Sequence, residues 1–183
     1  MTEAKVTKVN VIQVFISIGS NIERETNVRS AVRALRAQFG ELQLSSVYES
    51  EAVGFDGDPF YNLVAGFTVE DTPHDVLQGA QQVMTALRAI ETAHGRERHN
   101  TKFSARTLDL DLLLFGDADL RSQGLDIPRD EITRYAFVLG PLAEIVPQLA
   151  HPLLDNTYAR LWHDYQVSHP QEVQAMRPVA FRW

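Results

Sequence analysis

Between Leu108 and Phe115 the chain reads Leu-Asp-Leu-Asp-Leu-Leu-Leu-Phe, and few folds can accommodate such a run. Leucine at 108, 110, 112 and 114 recurs with the period-two pleat of a β-strand that buries one face. Asp109 and Asp111 then share the opposite face. The run predicts a strand from Thr107 to Phe115, in a sheet with helices on its dry side and two adjacent carboxylates on the other.

Two like charges on a rigid strand repel unless a cation lies between them. A hard divalent ion such as Mg²⁺, held through oxygen ligands, is the simplest candidate. Arg96, Arg98 and Arg106 arrive just upstream. Carboxylates for a metal and planar guanidinium forks for phosphate are the parts of a phosphoryl-transfer site. On the residues alone, a solvated strand edge and a solvated basic loop account for these features about as well.

The formal charge is −7 over 183 residues, which argues against a nucleic-acid partner. A basic patch confined to positions 96 to 106 suits a small polyanion better than a polymer. Cysteine is absent, so no disulfide, zinc-thiolate or thiol nucleophile is available. Met1 to Asn10 is polar and no long apolar segment follows, so a cytoplasmic protein with no membrane partner is expected. A chain of this length predicts one domain over 1–183, and a monomer rather than an oligomer is expected.

Val9 to Ile18 reads as a buried strand ending in the turn Gly19-Ser20-Asn21. Val28, Val32, Leu35 and Phe39 have helical spacing, with Gly40 as the stop. A strand over about Leu42 to Tyr48, a loop over Ser50 to Pro59 and a strand over Asn62 to Glu70 follow. Thr72 and Pro73 are suited to cap and open the next helix, whose apolar face is Val76, Ala80, Val83, Leu87 and Ile90. Beyond the Asp-x-Asp strand, short helices are predicted around Val138 to Val146 and Tyr158 to Tyr165, and the last fifteen or so residues read as irregular. The order over the first 115 residues is β-α-β-β-α-β, the ferredoxin-like pattern of an α+β fold with a mainly antiparallel sheet.

Five blocks carry a resemblance. The sharpest is Arg106-Thr-Leu-Asp109-Leu-Asp111 followed by Leu-Leu. Ile-Gly19-Ser20-Asn21, Phe60-Tyr61-Asn62, Gly95-Arg96-Glu-Arg98 and Ala136-Phe137-Val-Leu-Gly-Pro141-Leu complete the set. In content, order and spacing they resemble the 6-hydroxymethyl-7,8-dihydropterin pyrophosphokinase family of folate biosynthesis, over residues 9 to 165. The tail from Val167 to Trp183 lies beyond the resemblance.

The resemblance implies transfer of a diphosphate from ATP, the co-substrate, to the pterin's hydroxymethyl oxygen, with release of AMP. It implies two Mg²⁺ ions on Asp109 and Asp111, and catalytic roles for Arg96 and Arg106. Glu91, Arg98, Phe103, Arg106 and Arg129 fall at nucleotide-side positions. On the residues alone, Glu91 would equally serve as a helix-end surface carboxylate. Ser50, Val53, Phe60, Asn62 and Phe137 fall at pterin-pocket positions, although aromatics in general more often pack in cores. The glycine turn after the first strand lacks the Gly-x-x-x-x-Gly-Lys-Ser/Thr phosphate-loop pattern and is read as structural.

Three positions depart from the family. Pro128-Arg129 replaces a common Pro-His, Tyr135 replaces an arginine two residues before the aromatic, and Ser50-Glu51-Ala52 replaces a Thr-Pro-Pro type of sequence. The first two bear on nucleotide contacts rather than on the acid pair. An alternative to the enzyme is a catalytically impaired paralogue that binds pterin or nucleotide. A metal-dependent phosphodiesterase is a weaker one, given the acidic charge.

Overall fold

The structure is a computed structural model and describes residues 11–54, 56–70, 75–95 and 107–183. Strand β1 (Val11–Ser20) leads into helix α1 (Arg24–Phe39), which ends where Gly40 adopts φ 83°. Two short strands, β2 (Gln43–Leu44) and β3 (Val47–Ser50), precede the long β4 (Phe60–Glu70). Helix α2 (Val76–Ala93) and β5 (Asp109–Phe115) complete the expected order. The strands pair antiparallel in the order β5-β1-β4-β3, with β2 also on β4. This is the ferredoxin-like arrangement predicted from sequence.

Alternation in β1 divides the interior in two. Val14, Ile16 and Ile18 face α1 and α2, packing with Val28, Leu35, Val83 and Leu87. Phe15 faces the other way, joining Val64 under α4 (Ala136–Ile145) and α5 (Tyr158–Ser168). The short α3 (Glu131–Arg134), absent from the predicted elements, leads into α4. The sheet therefore lies between two helical layers, one over each face.

The structure corrects four details. The expected strand over Leu42 to Tyr48 is broken at Ser45 and Ser46, because side chains satisfy the backbone there. The Ser45 hydroxyl accepts from the Val64 N–H at 2.9 Å, and the Ser46 N–H donates to Glu144 at 2.9 Å. Glu144 also accepts from the Tyr48 hydroxyl, whose pKa burial and this carboxylate push up to about 12. The cap of α2 is Asp75, which accepts from the Leu77 N–H at 3.1 Å; Thr72 and Pro73 lie outside the described residues.

The leucine alternation in β5 also fails at one point. Phe15 pairs with Leu114 but Ile16 pairs with Leu112, leaving Leu113 as a bulge residue. Leu114 thus leaves the face shared by Leu108, Leu110 and Leu112 and enters the second core with Leu113. Lastly, the C-terminal tail is ordered. Helix α6 (Pro170–Ala175) starts with proline at its first turn, and β6 (Arg177–Val179) pairs antiparallel with β3. Phe181 then meets Tyr61 edge-on, with ring centroids 6.1 Å apart. The tail had read as irregular because its elements are too short to show a period.

Among the described residues no helix is long and apolar enough to cross a membrane.

Candidate active site

The second face of the sheet is only partly covered by α4, and its uncovered end forms a cleft of about 390 Å³. Asp109 and Asp111 project into it from β5, opposite Gly19 and Ser17 of β1. Asn62 pairs with Gly19 from the other side, and Phe60 opens the same strand. Gly19 forms the floor at a close approach. A Cβ there would stand 3.2 Å from Asn62 Oδ1, 3.7 Å from the Phe60 ring and 3.9 Å from Asp109 Cβ. Period-two geometry on three adjacent strands thus brings one metal-type carboxylate, one amide and one aromatic around a single glycine.

The polar side of the cleft is already organised. Asn62 Nδ2 donates to the Ser50 hydroxyl at 2.8 Å, and both residues are buried. The paired β3 and β4 backbones therefore present an amide and a hydroxyl side by side. Phe137, on the first turn of α4, lines the opposite wall with Tyr135 and Val138, and Val53 completes the rim at 41 % exposure. Phe60 and Phe137 are half-buried, so plain core packing does not describe them.

Arg129 enters the cleft from the segment before α3. Its Nη2 lies 3.0 Å from Asp111 Oδ1, and its Nε pairs with Glu131. Its own N–H donates to the Leu113 carbonyl at 3.0 Å, which fixes the root of the side chain to β5. Burial would lower its pKa, but Asp111 and Glu131 outweigh that and hold the guanidinium more firmly protonated than usual. A residue read from sequence as nucleotide-side therefore shares the cleft with the acid pair.

Glu91 occupies a different place. It is 2 % exposed, which excludes a surface carboxylate, and its Oε1 accepts from the Leu110 N–H at 2.8 Å. Leu110 lies between the two aspartates, so α2 grips β5 at the point where the acid pair is displayed. Glu91→Ala would leave a buried donor without this acceptor, a defect of about 1–3 kcal/mol. A denaturant titration should show that loss, and Glu91→Gln should recover part of it by restoring an acceptor.

Gly19-Ser20-Asn21, which the structure places at the end of β1 and just beyond it, where a turn had been expected, also acquires a definite task. The Ser20 hydroxyl donates to the Thr107 carbonyl at 2.6 Å, and Asn21 Nδ2 donates to the Asp58 carbonyl at 3.1 Å. Arg24 reinforces the second attachment through the Pro59 carbonyl at 2.8 Å, an ion pair with Glu49 and a guanidinium 4.0 Å from the Tyr61 ring centroid. The segments on both sides of the cleft are thus rooted where β1 passes into α1. Sequence reading anticipated a structural role here but not these partners. Arg96, Arg98, Phe103 and Arg106 lie outside the described residues.

Two carboxylates on adjacent same-face positions offer up to four oxygen donors. Among the described residues no third histidine, cysteine or acid gathers with them into a metal-ligating group. A donor set this small suits Mg²⁺, which keeps water and phosphate oxygens in its remaining positions, better than a closed protein cage.

Comparison with known proteins identifies the family. The family model of 7,8-dihydro-6-hydroxymethylpterin-pyrophosphokinase matches residues 15–147. The 2-amino-4-hydroxy-6-hydroxymethyldihydropteridine pyrophosphokinase of Bacillus subtilis is 36 % identical over 139 residues, covering 74 % of this chain and 78 % of the relative. The same-named protein of Pseudomonas aeruginosa is 37 % identical over 150 residues, covering 76 % and 84 %. In fold, the chain superposes on the wild-type HPPK-DHPS of Plasmodium falciparum with a TM-score of 0.65 at 13 % identity. That match covers 93 % of this chain but 48 % of the other, so this chain spans about half the length of that protein. With the matched segment running from β1 through α4, and so holding the aspartate pair, Asn62 and Phe137, the chain belongs to the 7,8-dihydro-6-hydroxymethylpterin-pyrophosphokinase family.

Proposed function

We propose that this chain transfers the terminal diphosphate of ATP to the hydroxymethyl oxygen of 6-hydroxymethyl-7,8-dihydropterin, as an Mg²⁺-dependent step of folate biosynthesis. The bond formed joins the hydroxymethyl oxygen to the β-phosphorus. The bond broken joins that phosphorus to the α–β bridging oxygen, which leaves with AMP, and the hydroxyl proton is released. The observation that carries this reading is the cleft itself. Two carboxylates and a buried amide–hydroxyl pair line one cleft, in a chain whose family membership rests on an independent match.

In this reading Phe60 and Phe137 stack on the faces of the pterin, where offset aromatic contact favours a flat bicyclic ring. Asn62 and Ser50 meet its polar edge. The amide supplies both donor and acceptor capacity, as a lactam beside an amine requires. Val53 closes the rim over the ring. Asp109 and Asp111 would hold the Mg²⁺, two ions by the family resemblance. When bound, these supply charge neutralisation on the phosphate chain and align it for in-line displacement.

Arg129 keeps positive charge beside Asp111 and is placed to turn toward phosphate oxygens as the nucleotide enters. Its fork offers more donors than Asp111 and Glu131 use between them. By resemblance, Arg96 and Arg106 grip the phosphates, and Arg98 and Phe103 hold the nucleotide. Glu91 serves that side through β5.

The Mg²⁺ requirement gives the direct test. Nucleotides separated by chromatography should show AMP formed only when pterin and Mg²⁺ are both present. EDTA should stop the reaction and excess Mg²⁺ should restore it. AMP formation that persists in EDTA would overturn the role given to the acid pair.

A further inference from the structure

One ring in the cleft wall has no part in the scheme above. Tyr135 and Phe137 stack with centroids 5.1 Å apart and planes 12° from parallel. Both line the cleft, and both pack on the core beneath α4. Tyr135 is held at both ends of its backbone. Its N–H donates to the Glu131 carbonyl at 3.2 Å, and its carbonyl accepts from the N–H groups of Val138 and Leu139 at 3.1 and 3.0 Å. The Arg134 guanidinium lies 5.6 Å from the Tyr135 centroid and pairs with Asp130 at 3.0 Å. The Arg134 carbonyl in turn lies 3.1 Å from the Tyr165 hydroxyl, which is also 2.5 Å from Glu172 in the C-terminal tail.

The geometry points to Tyr135 as a positioning residue for the pterin: it backs Phe137 in a fixed orientation, so that the flat substrate docks on a preformed two-ring stack. This rests on the pterin reading of the cleft. A side chain already held in its bound orientation loses less freedom when the ligand arrives, and the saving appears as affinity. A parallel, offset partner favours one ring plane for Phe137 over the alternatives. Where the family resemblance places an arginine, this chain has exchanged a positive charge for a planar apolar support. The lost charge bears on the nucleotide side, whereas removal of the ring itself should fall on pterin affinity.

The test is a pair of titrations on the full-length protein. 6-Hydroxymethylpterin is followed by its own fluorescence, and α,β-methylene-ATP with Mg²⁺ by calorimetry. Tyr135→Phe keeps the plane and should retain the pterin affinity of the unaltered protein. Tyr135→Leu keeps apolar bulk without a plane and should weaken the pterin about two- to tenfold, the range expected for one aromatic pair. Its nucleotide affinity should not follow. Tyr135→Met provides a second non-planar variant if the leucine form does not fold.

Unchanged pterin affinity in a folded non-planar variant would overturn the inference. Tighter binding would overturn it as well, by showing that the ring fills the ligand's own seat. Equal weakening of both ligands would reduce Tyr135 to general packing. Phe137→Leu separates the two levels. If it leaves pterin binding intact, the placement of the pterin on Phe137 fails. If it weakens binding while the Tyr135 variants do not, only the backing role fails.

Discussion

Asp111→Ala should abolish diphosphate transfer and leave the thermal midpoint within a few degrees of the unaltered protein. The fold tolerates the loss because the Asp111 side chain is 29 % exposed at the cleft, and its partner Arg129 keeps Glu131 as a second carboxylate. No isolated charge is left buried, so the usual cause of a large destabilisation is missing. Activity has no such reserve. Stabilising a multiply charged phosphate chain through a bound metal is worth several kcal/mol, and each 1.36 kcal/mol is a factor of ten in rate. A fall of at least about a thousandfold is expected on that basis. A steady-state assay beside a thermal melt decides the matter. A folded variant with ordinary turnover would remove Asp111 from the site.

The second large effect concerns the pterin wall. Phe137→Ala should raise the dissociation constant for pterin about ten- to a hundredfold, combining lost ring burial with a lost stacking face. The nucleotide should be affected much less, since Phe137 lies on the α4 side of the cleft and the acid pair on β5. Separate titrations of the two ligands provide the measurement. Equal weakening would instead mean that α4 shifts as a whole when the ring is removed. Phe137 also packs against the second core, and the paired titrations separate that contribution from stacking.

Much of this site was legible because it depends on short-range period and on chemistry. The Asp-x-Asp spacing alone placed both carboxylates on one face, and β5 displays them so. Gly40 stops α1 as expected, and it does so with a positive φ that costs glycine little. Ser50, Val53, Phe60, Asn62 and Phe137, scattered over almost ninety positions, converge on one cleft.

What escaped the sequence depends on partners far away along the chain. The bulge at Leu113 is a property of the pairing with β1, and nothing within the run of leucines announces it. Ser45 and Ser46 interrupt a strand because Val64 and Glu144 supply alternative hydrogen bonds, the nearer of them nineteen residues away. On the residues alone Glu91 read equally well as a surface acid, and its contact with the Leu110 N–H places it in the interior. Tyr135 registered only as a missing arginine, since a stack between two rings is invisible until the backbone turns into α4. The tail likewise gains its strand only by meeting β3.

Phosphorus NMR of the protein with ATP, Mg²⁺ and 6-hydroxymethyl-7,8-dihydropterin tests the central claim most directly. AMP and a pterin diphosphate appearing together, in equal amounts, is the predicted spectrum. ADP accompanied by a pterin monophosphate would contradict it, because attack would then have fallen on the γ-phosphorus and not on the β.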